Sequence, residues 1–139
     1  MESEFPDPFV DSEDEPNPKL NEITNAIIGA AIEVHRHLGP GLPESHYEES
    51  LALEFELRGI SFERQPLVAV QYKGRLVGKF RLDFVVADAV IVEVKAVETL
   101  AALHSAQLLT YLRVSGRRLG LLINFNVRSL KDGIRRIAH

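Results

Sequence analysis

Residues 80–97 read Phe-Arg-Leu-Asp-Phe-Val-Val-Ala-Asp-Ala-Val-Ile-Val-Glu-Val-Lys-Ala-Val, and the sheet is organised around them. Two runs rich in Val and Phe flank Ala87-Asp88-Ala89, which predicts two strands joined by a short turn. Side chains alternate along a strand. Phe80, Leu82, Phe84 and Val86 are therefore expected on one face, and Arg81, Asp83 and Val85 on the other. On the next strand Ile91, Glu93, Lys95 and Val97 share a face, opposite Val90, Val92, Val94 and Ala96. A turn centred on Asp88 pairs residues whose numbers sum to 176, so Asp83 faces Glu93. A two-residue turn would give an odd sum and put Asp83 on the wrong face. The pairing therefore requires a three-residue loop or a bulge.

Elements on either side follow from periodicity and punctuation. Residues 23–38 carry Ile23, Ile27, Ala30, Val34 and Leu38 at helical spacing, with Asn21 or Thr24 as N-cap and Gly39-Pro40-Gly41 as the stop. A second helix is expected from Glu44 to Arg58, ended by Gly59. Residues 61–72 predict a strand interrupted by Pro66, Lys73-Gly74 a turn, and residues 76–86 a second strand. Residues 90–97 form the third. A helix capped at Thr99 or a neighbour runs to Ser115, and Gly116 ends it. Residues 118–125, continuously apolar, predict a strand buried on both faces. The basic stretch 129–139 adds a short final element. The order α-α-β-β-β-α-β, a three-strand meander and a helical crossover, predicts an α/β single domain with a mixed sheet of about four strands flanked by helices.

Composition narrows the function. The 139 residues contain no Cys, which excludes disulfides, Cys-ligated metals and thiol nucleophiles. No apolar run is long enough to span a bilayer, and the acidic, Pro-broken start is unlike a signal peptide, so the expected location is cytoplasmic with no membrane partner. The net charge of −4 is misleading. Residues 1–18 hold seven acids, no bases and four of the seven prolines, and read as a disordered tail. The domain, residues 19–139, keeps 16 bases against 13 acids. A solubilising role suits the tail better than competition with an anionic partner for the basic face.

Two carboxylates directly opposed on strands repel, and burial strengthens the repulsion. Lys95 offsets part of it, and a divalent cation would offset more. A metal held by carboxylates lowers the pKa of a bound water, and a neighbouring lysine stabilises the charge of a phosphodiester transition state. The bland alternative is a structural ion pair between Asp83 and Lys95.

Asp83 followed by Glu93-Val94-Lys95 on the next strand resembles the PD-(D/E)XK nuclease superfamily. Gln107 and Tyr111 on the following helix form a Q-x-x-x-Y pattern similar to that of its RecB-like branch. Gly41-Leu42-Pro43-Glu44-Ser45-His46-Tyr47 reads G-x-x-E-x-x-Y, the heptad that names the GxxExxY family within it. Residues 28–35, 38–41 and 119–125 extend the likeness over about residues 21–137. Leu82 stands where the superfamily name has Pro. The resemblance implies a restriction-endonuclease-like core and a Mg²⁺- or Mn²⁺-dependent nuclease acting on nucleic acid, expected to be DNA. It implies that Asp83 and Glu93 hold the metal, helped by the Val94 carbonyl, and that Lys95 aids the water. Glu44 would be a further ligand or water contact, and Gln107 and Tyr111 would face substrate.

Other candidates read as structural. Glu33 and His37 fit an i,i+4 surface pair beside a packed His35, ahead of a second acidic group and imidazole at the metal. Tyr47 reads as a residue that packs and makes a structural hydrogen bond, and the same reading weighs against chemistry at Tyr111 by a narrower margin. Arg113, Arg117, Arg118, Arg128, Lys131, Arg135 and Arg136 fit a solvated face better than a phosphate-binding one. The rival to the enzyme is a non-catalytic module that binds nucleic acid or protein. A third reading is an assembly protein that pairs a strand edge with its own copy. So small a domain leaves little surface for specificity, which a partner or homo-oligomer would supply.

Overall fold

The computed structural model describes residues 18–139. The acidic tail lies outside the described residues except for its last position. Pro18, assigned to the tail above, opens helix α1 (Pro18–Leu38). Proline suits the first helical turn, where its missing N–H has no helical partner. Neither expected N-cap caps: Asn21 and Thr24 lie inside the helix, and Thr24 Oγ1 donates to the Asn21 carbonyl at 3.0 Å. Helix α2 (Glu44–Leu57) follows, with Gly59 at φ +69° past its end.

The expected meander is corrected. Its first strand is two: β1 (Phe62–Arg64) and β2 (Leu67–Tyr72), separated by Gln65 at φ +56° and Pro66. Its second is also two: β3 (Arg75–Arg81) and β4 (Phe84–Val86). β2 and β3 pair only with each other, as a ribbon turning at Lys73 (φ +50°) and Gly74 (φ +81°). Two positive φ values are what a two-residue hairpin turn requires. The main sheet has five strands in the order β1-β4-β5-β6-β7, where β5 is Val90–Lys95, β6 Leu119–Asn124 and β7 Ile134–Ala138. Only β5 and β6 run parallel, joined across helix α3 (Ala102–Ser115). The short final element is thus an edge strand, and β6, buried at every position, lies inside the sheet as its apolar run predicts. α3 begins later than expected. Ala101 precedes it without a side-chain cap, and its N–H donates instead to His104 Nδ1 at 3.0 Å.

Helices cover both faces, as a mixed sheet requires. Phe84, Val86, Val92 and Val94 pack with Ile27, Ala31, Leu51 and Phe55 of α1 and α2. Val85, Ile91 and Leu122 pack with Leu108 and Leu112 of α3 on the other side. Leu82 joins this second cluster, so the expected alternation from Phe80 to Val86 fails at the break between β3 and β4. Among the described residues no helix is long and apolar enough to cross a membrane.

One glycine supports the end of β6. A Cβ on Gly133 would overlap the Asn124 carbonyl oxygen and press on Val127 Cγ2 at 3.1 Å. The first obstacle is backbone and cannot swing away. Gly133→Ala should therefore cost about 1–3 kcal/mol. Thermal unfolding should show a drop of roughly 3–10 °C; an unchanged melting temperature would contradict the packing.

Candidate active site

The site is built where β4 meets β5. The observed pairs Phe84–Val92, Val85–Ile91 and Val86–Val90 all obey the 176 register and leave the three-residue loop Ala87-Asp88-Ala89. Ala87 and Asp88 adopt φ +52° and +55° to close it. One step further, at Asp83 and Glu93, side chains take over the hydrogen bonding. The Asp83 N–H donates to Glu93 Oε2 at 2.8 Å, and the Val94 N–H donates to Asp83 Oδ2 at 2.8 Å. Each carboxylate thus spends one oxygen on the other strand's backbone. Among the described residues the remaining oxygens, Asp83 Oδ1 and Glu93 Oε1, take no hydrogen bond. The Asp83 carbonyl accepts from the Gln65 N–H at 2.8 Å, so the β1–β2 link clamps the same residue from behind.

Electrostatics mark the pair as unusual. Glu93 is 5% exposed. Burial, then the Asp83 charge, push its carboxyl up to about 8, against the Asp83 N–H bond and Lys95. Burial likewise raises Asp83 to about 6; the Val94 N–H opposes this, and the charges of Glu48 and Glu44 add to it. Lys95, half-buried at the end of β5, lowers both as a nearby positive charge without a direct ion pair to either.

Each acid titrates above its unfolded value, so the folded state binds more protons between about pH 4 and 8. Stability from this source is complete below the unfolded pKa values and is lost as pH rises through 6 and then 8. Metal-free protein should melt on the order of 5 °C lower at pH 8.5 than at pH 5. Glu93→Gln should flatten that slope. A melting temperature that stays level or rises over this window, in calorimetry with chelator, would contradict the burial of the pair.

The other predicted residues surround it unevenly. Glu44, the first residue of α2, is exposed, and its charge acts on both Asp83 and Glu93. Tyr111 is half-buried, stacked on Phe80 of β3 with centroids 4.3 Å apart. Burial raises its phenol, and the charges of Glu93 and Asp83 raise it further, which places it in the field of the pair. Gln107 lies one turn earlier on α3, exposed and without a hydrogen bond to a described residue.

Two residues escaped the sequence reading. Glu48, one turn after Glu44, is buried and held by Arg64 Nε at 3.0 Å and Gln65 Nε2 at 2.9 Å. Its i,i+4 spacing from Glu44 was the available signal. Asn124, opposite Lys95 on β6, accepts from the Val97 N–H at 3.0 Å and donates to the Val97 carbonyl at 2.9 Å. It fixes the chain as it leaves Lys95.

Several of the remaining candidates are engaged with other partners. Glu33 holds Arg36 at 2.6 Å and His37 at 3.0 Å on the surface of α1, and His35 is buried with Nε2 2.7 Å from the Val127 carbonyl. Tyr47 is fully buried; its hydroxyl donates to the Gly39 carbonyl at 2.5 Å and accepts from the Leu42 N–H at 3.1 Å. It latches the Gly39–Gly41 turn that delivers Glu44 to the start of α2. Of the basic C-terminal residues, Arg117 pairs with Asp88 at 3.1 Å. Arg135 bonds Ser105 Oγ and the Leu100 carbonyl, both at 2.9 Å.

Whether a divalent ion fits depends on the donors. Among the described residues no group of three or more His, Cys, Asp or Glu is gathered for a metal. The pair nevertheless has the right chemistry for a hard cation that takes one or two carboxylates and keeps its waters. With Glu93 buried, Asp83 half-buried and an oxygen to spare on each, the doubly ionised pair would be stabilised by such a partner.

Compared with known proteins, residues 21–137 match the family model described as the PD-(D/E)XK nuclease superfamily. No curated protein and no solved structure matches the chain.

Proposed function

Because the chain belongs to the PD-(D/E)XK nuclease superfamily, we propose that it is a metal-dependent nuclease hydrolysing phosphodiester bonds in DNA. Nucleases of this superfamily generally use divalent metals. Mg²⁺ or Mn²⁺ is proposed here, and when bound it would acidify a water and neutralise phosphate charge. The observation that carries the reading is the pair of buried Glu93 and half-buried Asp83, locked by reciprocal main-chain hydrogen bonds. Such a pair costs stability in metal-free protein, which a structural role does not require.

The remaining roles follow position. Asp83 and Glu93 would hold the ion, each having one carboxylate oxygen not engaged by the backbone. Lys95 orients the attacking water and offsets charge on the scissile phosphate. Glu44, whose charge acts on both carboxylates, would contact a water beside the ion. Gln107 and Tyr111, i and i+4 on α3, contact the substrate phosphate. The G-x-x-E-x-x-Y heptad supports membership of the GxxExxY group, and the lack of a membrane-crossing helix among the described residues is compatible with a cytoplasmic place of action.

The test is cleavage of labelled single- and double-stranded DNA and RNA with Mg²⁺, Mn²⁺ or chelator. Metal-dependent cutting of DNA is expected. Binding without cutting under every condition would favour the non-catalytic module.

A further inference from the structure

The β2–β3 ribbon carries none of the candidate site residues. Residues 67–81 hold four cations, Lys73, Arg75, Lys79 and Arg81, and no acid. All four are exposed, and none forms an ion pair with a described residue. The ribbon is not part of the main sheet. One face packs inward: Val68 and Phe80, cross-strand partners, lie against the α3 cluster, and Phe80 stacks on Tyr111. Its other face points to solvent through the pairs Leu67–Arg81 and Ala69–Lys79. Tyr72, 63% exposed, stands at the tip beside Lys73, whose Nζ is 5.3 Å from the ring centroid.

Two links fix the ribbon to the site. Arg81 precedes Asp83 by two residues, and the Leu82 N–H donates to the Pro66 carbonyl at 3.1 Å. Tyr111, against which the ribbon packs, lies in the field of both carboxylates. A polyanion lying along the ribbon's outer face as far as Arg81 is then two residues of chain from Asp83.

Size narrows the polyanion. Six paired residues span about 20 Å with strands about 4.8 Å apart, and the major groove, about 12 Å wide, admits a two-stranded ribbon. A single strand has no groove to match this shape, and would call for aromatic stacking platforms along the path. Only Tyr72 is exposed there.

We propose that the β2–β3 ribbon is a docking arm that seats on the backbone and major groove of double-stranded DNA and delivers a duplex to Asp83 and Glu93. The arm itself is read from charge and shape; what it delivers to rests on the nuclease reading.

The experiment compares full-length wild type with Lys73→Ala/Arg75→Ala/Lys79→Ala, none of them placed in the catalytic site. Fluorescence anisotropy with a labelled 20-base-pair duplex and its single strand is run in Ca²⁺ over a range of salt. Cleavage in Mn²⁺, thermal melting and light scattering are run alongside. The triple variant is expected to melt like wild type and to bind duplex at least tenfold more weakly. Its dependence of log affinity on log salt should be shallower by about 2.7, or about 0.9 for each phosphate that a removed cation had neutralised. Wild type should prefer duplex to single strand. Unchanged duplex affinity and salt slope would overturn the proposal, as would equal binding of single strand through the same residues. So would a wild-type dimer that the variant converts to monomer without loss of duplex binding, since the ribbon would then serve a second copy. Ribbon-dependent duplex binding without cleavage would leave the arm standing and remove the nuclease. Cleavage with unchanged affinity in the variant would do the reverse.

Discussion

Asp83→Asn should abolish metal-dependent cleavage, by at least about a thousandfold, while leaving the protein as stable as before or more so. The amide oxygen of Asn keeps the acceptor for the Val94 N–H, a 2.8 Å bond in the native pair. Its NH₂ group is neutral where the Asp83 charge had raised the Glu93 carboxyl. The strand junction therefore survives, and the strain of two buried carboxylates is removed. What disappears is one of the two proposed ligands, and a hard cation left with a single protein carboxylate would lose its place. The rate and the melting temperature at pH 8 should move in opposite directions, as at other sites where function is retained at a cost in stability. Steady-state cleavage and differential scanning calorimetry of the same preparation check both. A variant that cuts like wild type would place the chemistry elsewhere.

The second large effect separates Lys95 from the ion. Lys95 lowers the pKa of both carboxylates through space, so its charge opposes a cation bound between them. Lys95→Ala should bind Mn²⁺ as tightly as wild type or more tightly, yet cleave about 10²–10³-fold more slowly, the scale of losing one charge-stabilising donor at a transition state. The loss should fall on kcat rather than on substrate affinity. Calorimetry with Mn²⁺ and single-turnover cleavage resolve the two. A variant that loses metal and activity together would make Lys95 a structural partner of Asp83 instead.

How much of this could be read in the sequence depends on which force wrote each feature. The β4–β5 register was legible because a turn centred on Asp88 fixes which residues pair, and a slip of one residue would have moved Asp83 to the face opposite Glu93. The central strand β6 was legible because only a doubly covered strand tolerates Leu-Gly-Leu-Leu-Ile-Asn. The breaks were not. Asp83 and Glu93 replace ladder bonds with side-chain bonds, which delays the start of β4 to Phe84 and releases β3 into the ribbon. Periodicity does not record which donor a carbonyl or carboxylate will accept from. Gln65 at φ +56° is equally silent, since only the neighbouring Pro66 hints that the chain leaves one sheet for another. Within the candidate site, Asp83, Glu93 and Lys95 were named by strand parity. Glu44 was named by a motif whose physical content is the Tyr47 latch on the preceding turn. Glu48 was missed because its reason for being there, a bond to Gln65 and Arg64 behind Asp83, spans 16 and 17 residues of chain.

If Asp83 and Glu93 together hold the ion that does the chemistry, crystals of the full chain grown with Mn²⁺ and measured at the manganese absorption edge should reveal it. A single anomalous peak within ligand distance of Asp83 Oδ1 and Glu93 Oε1, absent from Asp83→Asn, is the predicted result. A manganese site elsewhere, or none between these carboxylates when a duplex is bound, would contradict it.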